Sequence, residues 1–232
     1  MQRDSTFDPL FTDSEDAAKK VLEELPRELF EGDETVVIGV SEAGVFYADY
    51  IAKALHANFD ILLTEPIFAP NNPEVPIAMI SETEEVVLHK ALVEAFDISE
   101  DFIFAEAQRK YEEEVISYVY RYRKGKELQS LKGKYVLLVD ACIETGLTMM
   151  VALKSVIARE AKNIYIATPV LDKAVYENLL AVCDDVFCPY KIDDYISIEY
   201  YFKKFDTPDY SRIMQMIASH ETKHPDIKDK DE

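Results

Sequence analysis

The residues from Asp140 to Thr148 combine an acid, hydroxyl groups and a glycine in a pattern that suits anion binding. They read DACIETGLT and stand between the apolar run VLLV and apolar positions at helical spacing. A loop that begins a helix offers unpaired backbone N–H groups and about half a positive charge. Gly146 lets the backbone curl closely around a ligand, and Thr145 and Thr148 add hydroxyl donors. The segment therefore predicts a phosphate site.

An ordinary strand–turn–helix, in which a threonine caps the helix, explains the same residues equally well. No lysine follows the glycine and the GxxxxGK[ST] spacing is missing, so this is not the P-loop of a nucleoside triphosphatase. Cys142, next to the helix start, is either a reactive thiol with a lowered pKa or a substitute for a small loop residue. We favour the second interpretation.

The charge balance narrows the range of partners. The 232 residues include 45 Asp and Glu against 25 Lys and Arg, which gives a net charge of −20. Nucleic acid and anionic membrane surfaces are disfavoured as partners, because a surface that binds phosphates needs clusters of Lys and Arg. Solubility explains the charge without any partner. At physiological salt, charges more than about 8 Å apart are largely screened from one another. The net charge therefore does not exclude a small phosphorylated ligand.

Other features predict a single cytoplasmic domain. No apolar run approaches the roughly 18 residues of a membrane span, and the start MQRDSTFDPLFTDSED lacks the features of a secretory signal. Three cysteines, an odd number, indicate free thiols in a reducing compartment. The chain length predicts one domain over residues 1–220, and the polar segment 221–232 is predicted to be a flexible tail.

Short apolar runs alternate with helical patterns along the chain. Predicted strands cover 34–41, 59–63, 133–140, 163–170 and 184–190, and predicted helices cover 16–28, 44–55, 172–183 and the segment after Gly146. This alternation predicts an α/β fold, with a mostly parallel twisted sheet and helices on both faces. The segment 82–130 is predicted to be a helical insertion or cover, and 69–76 an exposed loop. Ligands of such sheets bind at the carboxyl ends of strands, here after Val40, Leu63 and Val139.

The wider sequence resembles a known family. VLLVDACIETGLTM resembles the phosphoribosyl-diphosphate motif of type I phosphoribosyltransferases, in which four apolar residues and an acidic pair precede TGxT at a helix start. Further segments resemble successive landmarks of a group of small predicted phosphoribosyltransferases: FTDSEDAAKKV, VVIGVSEAGVFYADYIAKAL, FAPNNPE, RYRKGKELQSLKGK and IYIATPVL. The resemblance runs from Phe11 to Tyr201 and implies the type I phosphoribosyltransferase fold. The family also commonly forms homodimers.

The resemblance implies roles for residues of the opening segment. Those implied to hold a ribose 5′-phosphate are Glu144, Thr145, Gly146, Leu147 and Thr148. Asp140 would bind a ribose hydroxyl or help to position Mg²⁺, which makes it a catalytic and metal-binding candidate. Glu144 would lie near the base and is the second catalytic candidate, although an anion at a helix start is also favourable in itself.

Three positions depart from the family pattern, and they affect the diphosphate half of the site. The loop that would face the diphosphate consists of Ser41, Glu42, Ala43 and Gly44, where related chains carry a basic residue before glycines. Ala141 replaces the second acid of the pair, and Glu65-Pro66 replaces an Arg-Lys pair. A carboxylate in place of a cation about 5 Å from a diphosphate costs roughly 6 kcal/mol before relaxation or screening. Bridging Mg²⁺, or rotation of the side chain into water, would recover part of this loss.

These residues leave three functional hypotheses. The leading one is a phosphoribosyltransferase-fold protein that binds the 5′-phosphate of a nucleotide or of phosphoribosyl diphosphate, with transferase activity weak, altered or lost. The second is an active, Mg²⁺-dependent phosphoribosyltransferase that acts on a nucleobase, such as a purine. The third is a non-catalytic regulatory protein whose acidic middle segment docks a basic partner, although a solvated helix face explains those charges as well.

Overall fold

The computed structural model describes residues 8–70 and 72–221. The strands are β1 Thr35–Gly39, β2 Asn58–Ile61, β3 Thr64–Ala69, β4 Asn72–Ser81, β5 Val86–Leu88, β6 Tyr135–Val139, β7 Asn163–Ala167, β8 Val170–Asp172, β9 Asp185–Phe187 and β10 Tyr190–Ile192. The helices are α1 Ser14–Glu24, α2 Arg27–Phe30, α3 Glu42–Leu55, α4 Lys90–Ala95, α5 Glu100–Lys110, α6 Ile116–Arg123, α7 Leu147–Ala158, α8 Lys173–Leu180, α9 Ile198–Tyr201 and α10 Tyr210–Glu221, with a π-helical turn at Tyr111–Val115. Within these ranges no helix combines the length and apolarity needed to cross a membrane.

The main sheet consists of five parallel strands in the order β2-β1-β6-β7-β9. Its central strands read TVVIG, YVLLV and NIYIA and are almost entirely buried, as expected of strands covered on both faces. Val37 and Leu137 pack with α1 and α3, whereas Ile38 and Leu138 pack with α7 and α8 on the opposite face. This arrangement confirms the predicted α/β fold with a mostly parallel sheet.

The order of strands reverses between β1 and β6. From β1 the chain moves through α3 to β2, and after a long insertion it returns as β6 on the other side of β1. The carboxyl ends of β1 and β6 are therefore adjacent, with Gly39 opposite Val139. Ligands of parallel α/β sheets bind at such switch points. The reversal brings Ser41 into contact with Asp140, 99 residues away in the chain.

The insertion between β2 and β6 is not helical throughout, which corrects the prediction for residues 82–130. β3, β4 and β5 form an antiparallel sheet, and β5 lies inside the range predicted as helical. The segment 69–76, predicted as an exposed loop, includes the first residues of β4. Its prolines indicated a loop, but Pro73 and Pro76 lie where β4 has only β3 as a neighbour, so a missing donor is tolerated there.

The charged part of the insertion forms one continuous helix over 100–123, made of α5, the π-helical turn and α6. Glu113 pairs with Arg109, and Glu114 pairs with Lys110 at 2.8 Å. These acidic side chains therefore have partners on their own helix. The contacts favour a solvated helix face over a surface reserved for a basic partner.

A buried ion cluster ties the end of α6 to the main sheet. Arg123 is buried and lies between Asp60 and Glu82. Asp60 also accepts a hydrogen bond from the backbone N–H of Gln129 at 3.0 Å. Burial raises the pKa of Asp60, and the Arg123 guanidinium opposes that rise. Because buried charges need close partners, the cluster fixes the insertion on β2.

The C-terminal helix α10 was not predicted from the sequence. It packs on α3 and β2, and its residue His220 is buried, with Nε2 2.8 Å from Asp49 Oδ1. The His220 ring also stacks on Phe59 at a centroid distance of 4.5 Å. His220, the last residue of the predicted domain, is thus held in the fold by contacts with α3 and β2. Glu221 ends α10, and the remainder of the predicted tail lies outside the described residues.

Candidate functional site

Two adjoining cavities lie at the carboxyl ends of β1 and β6. The inner cavity has a volume of about 450 Å³ and is lined by residues 140–149, by Ser41 and Ala43, and by residues from the segment 198–207. The outer cavity has a volume of about 410 Å³ and lies between the start of α3, the link from β2 to β3, and α6. Ser41 and Thr148 line both cavities, which therefore form one cleft.

The start of α7 forms one wall of the inner cavity. Gly146 precedes the helix with a φ of +75°, a left-handed conformation that favours glycine. A Cβ at this position would lie 2.6 Å from Val175 Cγ1. The N-cap residue is a glycine, so in the described part of the chain no N-cap side chain bonds to this helix. The Leu147 N–H donates a long hydrogen bond of 3.4 Å to Thr145 Oγ1. The first-turn amides of α7 are therefore available to a ligand.

Asp140 follows β6 at the base of the inner cavity. Its Oδ1 accepts hydrogen bonds from the Ser41 hydroxyl at 2.5 Å and from the Ala141 N–H at 2.7 Å. Burial raises the pKa of Asp140 to about 6, and these two hydrogen bonds oppose the rise. A carboxyl group whose charge is destabilised inside a cleft is typical of a functional site.

The predicted diphosphate loop is a helix start rather than a loop. α3 begins at Glu42, and the Oγ of Ser41 caps it by accepting the Gly44 N–H at 2.9 Å. Gly44 permits close packing, since a Cβ there would lie 2.7 Å from the carbonyl oxygen of Val139. The sequence pattern placed the helix start too late because its apolar spacing begins only at Val45. The segment thus presents the partial positive charge of a helix N-terminus to the cleft.

The two carboxylates that were expected to weaken diphosphate binding both have partners. Glu42 accepts a hydrogen bond from the Tyr122 hydroxyl at 2.9 Å, and burial together with this contact raises the pKa of Tyr122 to about 12. Glu65 pairs with Lys110 at 2.9 Å. Burial raises the pKa of Glu65, and Lys110 opposes that rise. Lys110 is shared with Glu114, so it balances the charge of Glu65 only in part.

Comparison with known proteins identifies the family. The family model described as phosphoribosyl transferase domain matches residues 10–203. The chain belongs to the phosphoribosyltransferase family.

Two kinds of relative accompany this match. Proteins of Mycobacterium tuberculosis strains H37Rv and CDC 1551, each named as a putative phosphoribosyl transferase, are 28% identical over 186 residues, which is 77% of this chain and 40% of each relative. The chain thus spans about two fifths of the length of the curated relatives it matches. The crystal structure of TT1426 from Thermus thermophilus is similar with a TM-score of 0.74 and 26% identity, covering 90% of this chain and 98% of that one.

In this member of the phosphoribosyltransferase family, the candidate phosphate residues lie together. The residues of the turn that line the inner cavity are Glu144, Thr145, Gly146, Leu147 and Thr148. Glu144 and Thr145 are exposed, whereas Asp140 is buried. Ala141 is fully buried and offers no oxygen ligand where the family motif has its second acid.

Cys142 is not an activated thiol. Burial raises the pKa of Cys142 to about 12, and the charge of Asp140 contributes to the rise. The position next to the start of α7 does not outweigh these effects. Cys142 therefore acts as a small, half-buried loop residue.

The donor groups of the cleft suit a metal ion only with help from a ligand. In residues 8–70 and 72–221, no three His, Cys, Asp or Glu side chains are grouped so that they could hold a metal ion. Both hydrogen bonds to Asp140 go to Oδ1, which leaves Oδ2 for other contacts. Mg²⁺ is commonly held by one or two carboxylates with substrate phosphates and water. Asp140 therefore fits a Mg²⁺ ion that arrives with its ligand.

Several residues of the cleft were missed from the sequence. The segment 198–207 contributes Ile198, Glu199, Phe205 and Thr207 to the inner cavity. Residues that α6 and α10 contribute to the outer cavity are Tyr118, Arg121, Tyr122 and Ile213. Arg121 and Tyr122 begin the segment RYRKGKELQSLKGK, for which the family resemblance implied no role. All of these residues reach the cleft only through the packing of distant elements. The spacing of Ile213, Met216 and Ile217 was the available signal for α10.

Proposed function

We propose that this chain binds a ribose 5′-phosphate group, as part of a nucleotide or of phosphoribosyl diphosphate, at the turn 144–148. The observation that carries the proposal is the uncapped start of α7, where Gly146 leaves the first-turn amides open to the inner cavity. A helix N-terminus of this kind suits a dianionic phosphate. Thr145 and Thr148 line the same cavity and supply hydroxyl donors.

We also propose that transferase activity is weak, altered or lost. Ala141 supplies no carboxylate, so Asp140 is the only acid of the motif's pair. Mg²⁺ would be held by Asp140 and by oxygens of the ligand, and it would neutralise part of the negative charge. No lysine or arginine is among the described residues that line the inner cavity. In the inner cavity, only backbone amides and the metal would therefore balance the negative charge of a departing diphosphate.

Isothermal titration calorimetry with ribose 5-phosphate and with nucleoside monophosphates tests the binding proposal. We expect saturable binding, with an affinity about tenfold lower in Thr145→Val, because a hydrogen bond to a charged group contributes about 1.5 kcal/mol or more. Thr12→Val is the matched control, since Thr12 is exposed and lines neither cavity. Absence of binding at millimolar ligand, or equal affinities in all three proteins, would contradict the proposal.

The second candidate function is an active transferase that moves phosphoribose onto a nucleobase, such as a purine. The ion pair between Glu65 and Lys110 favours it, because it removes part of the repulsion expected at the diphosphate. Incubation of phosphoribosyl diphosphate and Mg²⁺ with a panel of bases is the direct assay. Turnover that disappears in Asp140→Asn would support this candidate, and a panel without any turnover would eliminate it.

A further inference from the structure

The long helix 100–123 exposes a row of side chains at four-residue spacing, on the side away from the cleft. The row, called the ridge below, consists of Phe104, Gln108, Glu112, Ile116 and Tyr120, all of them exposed. Phe104 is 51% exposed and Tyr120 is 66% exposed. Single apolar side chains on a surface need no explanation, but several on one ridge indicate a contact with another molecule.

The π-helical turn Tyr111–Val115 keeps the ridge on one side of the helix. Four residues of an α-helix turn by about 400°, so a row at this spacing drifts around the axis by about 160° between Phe104 and Tyr120. A π-helical turn contains about one residue more than an α-helical turn, which takes back about 100° of this drift. The ridge is therefore nearly straight over about 24 Å, as a second helix requires for packing along it.

A hollow lies beside each end of the ridge. The hollow beside Phe104 has a volume of about 270 Å³ and is also lined by Gln108, Ile80, Val86 and Lys154. The hollow beside Tyr120 has a volume of about 280 Å³ and is also lined by Ile116, Val119, Leu128 and Arg159. Glu84 lines both hollows, so they lie next to each other. Each has room for an aromatic ring, since a cavity of about 150 Å³ holds benzene.

The two ends of the helix carry opposite charges. Glu100 and Asp101 lie in its first turn and Lys124 at its end, and all three are exposed. Within the described residues none of them forms an ion pair. Arg109 and Glu113, which lie on the neighbouring row, pair with each other instead. Two such helices side by side in opposite directions would bring each acidic end against a basic end.

We propose that the ridge is the interface of a symmetric dimer, in which the same helix of a second copy packs along it in the opposite direction. A two-fold axis at Glu112 pairs each residue with the one equally far beyond position 112 in the other copy. Phe104 then lies against the second copy's Tyr120 and enters the hollow beside it, while Tyr120 enters the other hollow. The same register places Glu100 against the second copy's Lys124.

This inference does not depend on the proposed function. The family resemblance implied a homodimer but neither its surface nor its register, and both are specified here. The same helix also carries Tyr118 and Tyr122, which line the outer cavity. Dimerisation would therefore hold one wall of the cleft in place.

The register contains one unfavourable contact. On the two-fold axis the Glu112 carboxylates of the two copies face each other, and like charges in contact are destabilising. Gln108 donates to Glu112 within each copy at 2.6 Å, which leaves the charge in place. We therefore expect Glu112→Gln to lower the dissociation constant of the dimer about two- to fivefold.

Sedimentation velocity over a concentration series of the full chain tests the surface. We expect a concentration-dependent dimer whose dissociation constant rises about tenfold or more in Phe104→Ser. Phe96→Ser is the matched control, because Phe96 belongs to the same insertion, is 46% exposed and lines neither hollow. A chain that stays monomeric at about 0.1 mM, or equal dissociation constants for the two variants, would overturn the proposal.

Exchange of charges between the ends tests the direction of packing. Glu100→Lys and Lys124→Glu should each raise the dissociation constant about tenfold, because each places like charges together at both ends of the dimer. An equimolar mixture of the two variants should associate about as well as the wild type, since the mixed dimer again joins opposite charges at both ends. Far-UV circular dichroism checks that both variants are folded. A mixture that associates no better than its components would overturn the antiparallel register and with it the proposal.

Discussion

Asp140 carries a charge that the surrounding structure opposes. Its side chain is buried, and burial raises its pKa from about 3.8 to about 6. The folded state therefore binds the proton more tightly than the unfolded chain. The protonated carboxyl therefore contributes no penalty to the folded state below about pH 4, and this part of the stability is lost as the pH rises through about 6. With about 1.4 kcal/mol per pKa unit, an ionised Asp140 costs the folded chain roughly 3 kcal/mol at neutral pH.

We expect Asp140→Asn to stabilise the chain at pH 7 by roughly 2–3 kcal/mol. Asparagine retains an oxygen that can accept from Ser41 and Ala141, but it carries no charge. Urea unfolding measured from pH 4 to pH 8 should show the advantage of the variant growing up to about pH 6 and then staying constant.

Asp193→Asn is the control for this prediction, because Asp193 is exposed and its replacement should change stability by less than about 0.5 kcal/mol. If the free energies of unfolding of wild type and Asp140→Asn changed with pH in parallel, the charged form of the Asp140 carboxyl would not be destabilised by its surroundings. A stabilised variant that no longer binds Mg²⁺ with its ligand would indicate that Asp140 is retained for function at the expense of stability.

Gly146 combines a backbone constraint with a steric one. We expect Gly146→Ala to destabilise the chain by about 1–3 kcal/mol, because alanine is strained at a φ of +75° and its Cβ would overlap Val175. Gly133→Ala isolates the first effect, since Gly133 has a φ of +72° and a Cβ added there would meet nothing within 4 Å. Gly146→Ala should lower the stability more than Gly133→Ala does, and Val175→Ala should restore only this additional loss. Thermal unfolding measures all three changes. Equal losses at the two glycines would contradict the steric part.

At the scale of elements, the insertion depends on the buried cluster of Arg123, Asp60 and Glu82. We expect Arg123→Met to lower the free energy of unfolding by about 3–5 kcal/mol, because two buried carboxylates lose their cation. The loss should shrink at lower pH, where those carboxyl groups take up protons. Urea unfolding at pH 7 and pH 5 measures both effects.

Arg109→Met is the matched control within the same insertion. Arg109 pairs with Glu106 and Glu113 on an exposed helix face, where ion pairs are screened by solvent. We expect only a small change in stability for this variant. A similar loss for Arg109→Met and Arg123→Met would mean that the cluster contributes no more than a surface pair.

The elements differ in how far local sequence predicts them. β1, β6 and β7 are short aliphatic runs whose composition already specifies a strand buried on both faces. The prolines of β4 signal a loop unless it is known that one side of the strand has no neighbour. α10 begins in a polar segment, and its buried face is stabilised by contacts with α3 and β2 that the local sequence does not reveal.

For the molecule as a whole, a net charge of −20 opposes compaction. We expect the thermal unfolding midpoint to rise by a few degrees between about 0.05 M and 0.5 M NaCl, because the screening length falls from about 14 Å to about 4 Å. KCl at equal ionic strength should have the same effect, which separates screening from specific ion binding. A midpoint that falls with salt would show that attractive ion pairs outweigh the overall repulsion.

The amino-acid sequence alone determined the parallel sheet, the loop that begins α7 and its family. These depend on apolar runs and on a contiguous motif, in which neighbours in sequence are also neighbours in space. Only the tertiary structure decided that Ser41 caps α3 while it binds Asp140, that Lys110 accompanies Glu65, and that Arg121 faces the outer cavity. The contacts of Ser41 with Asp140 and of Glu65 with Lys110 join segments far apart in the chain. They exist only after the sheet reversal and the packing of the insertion bring these segments together.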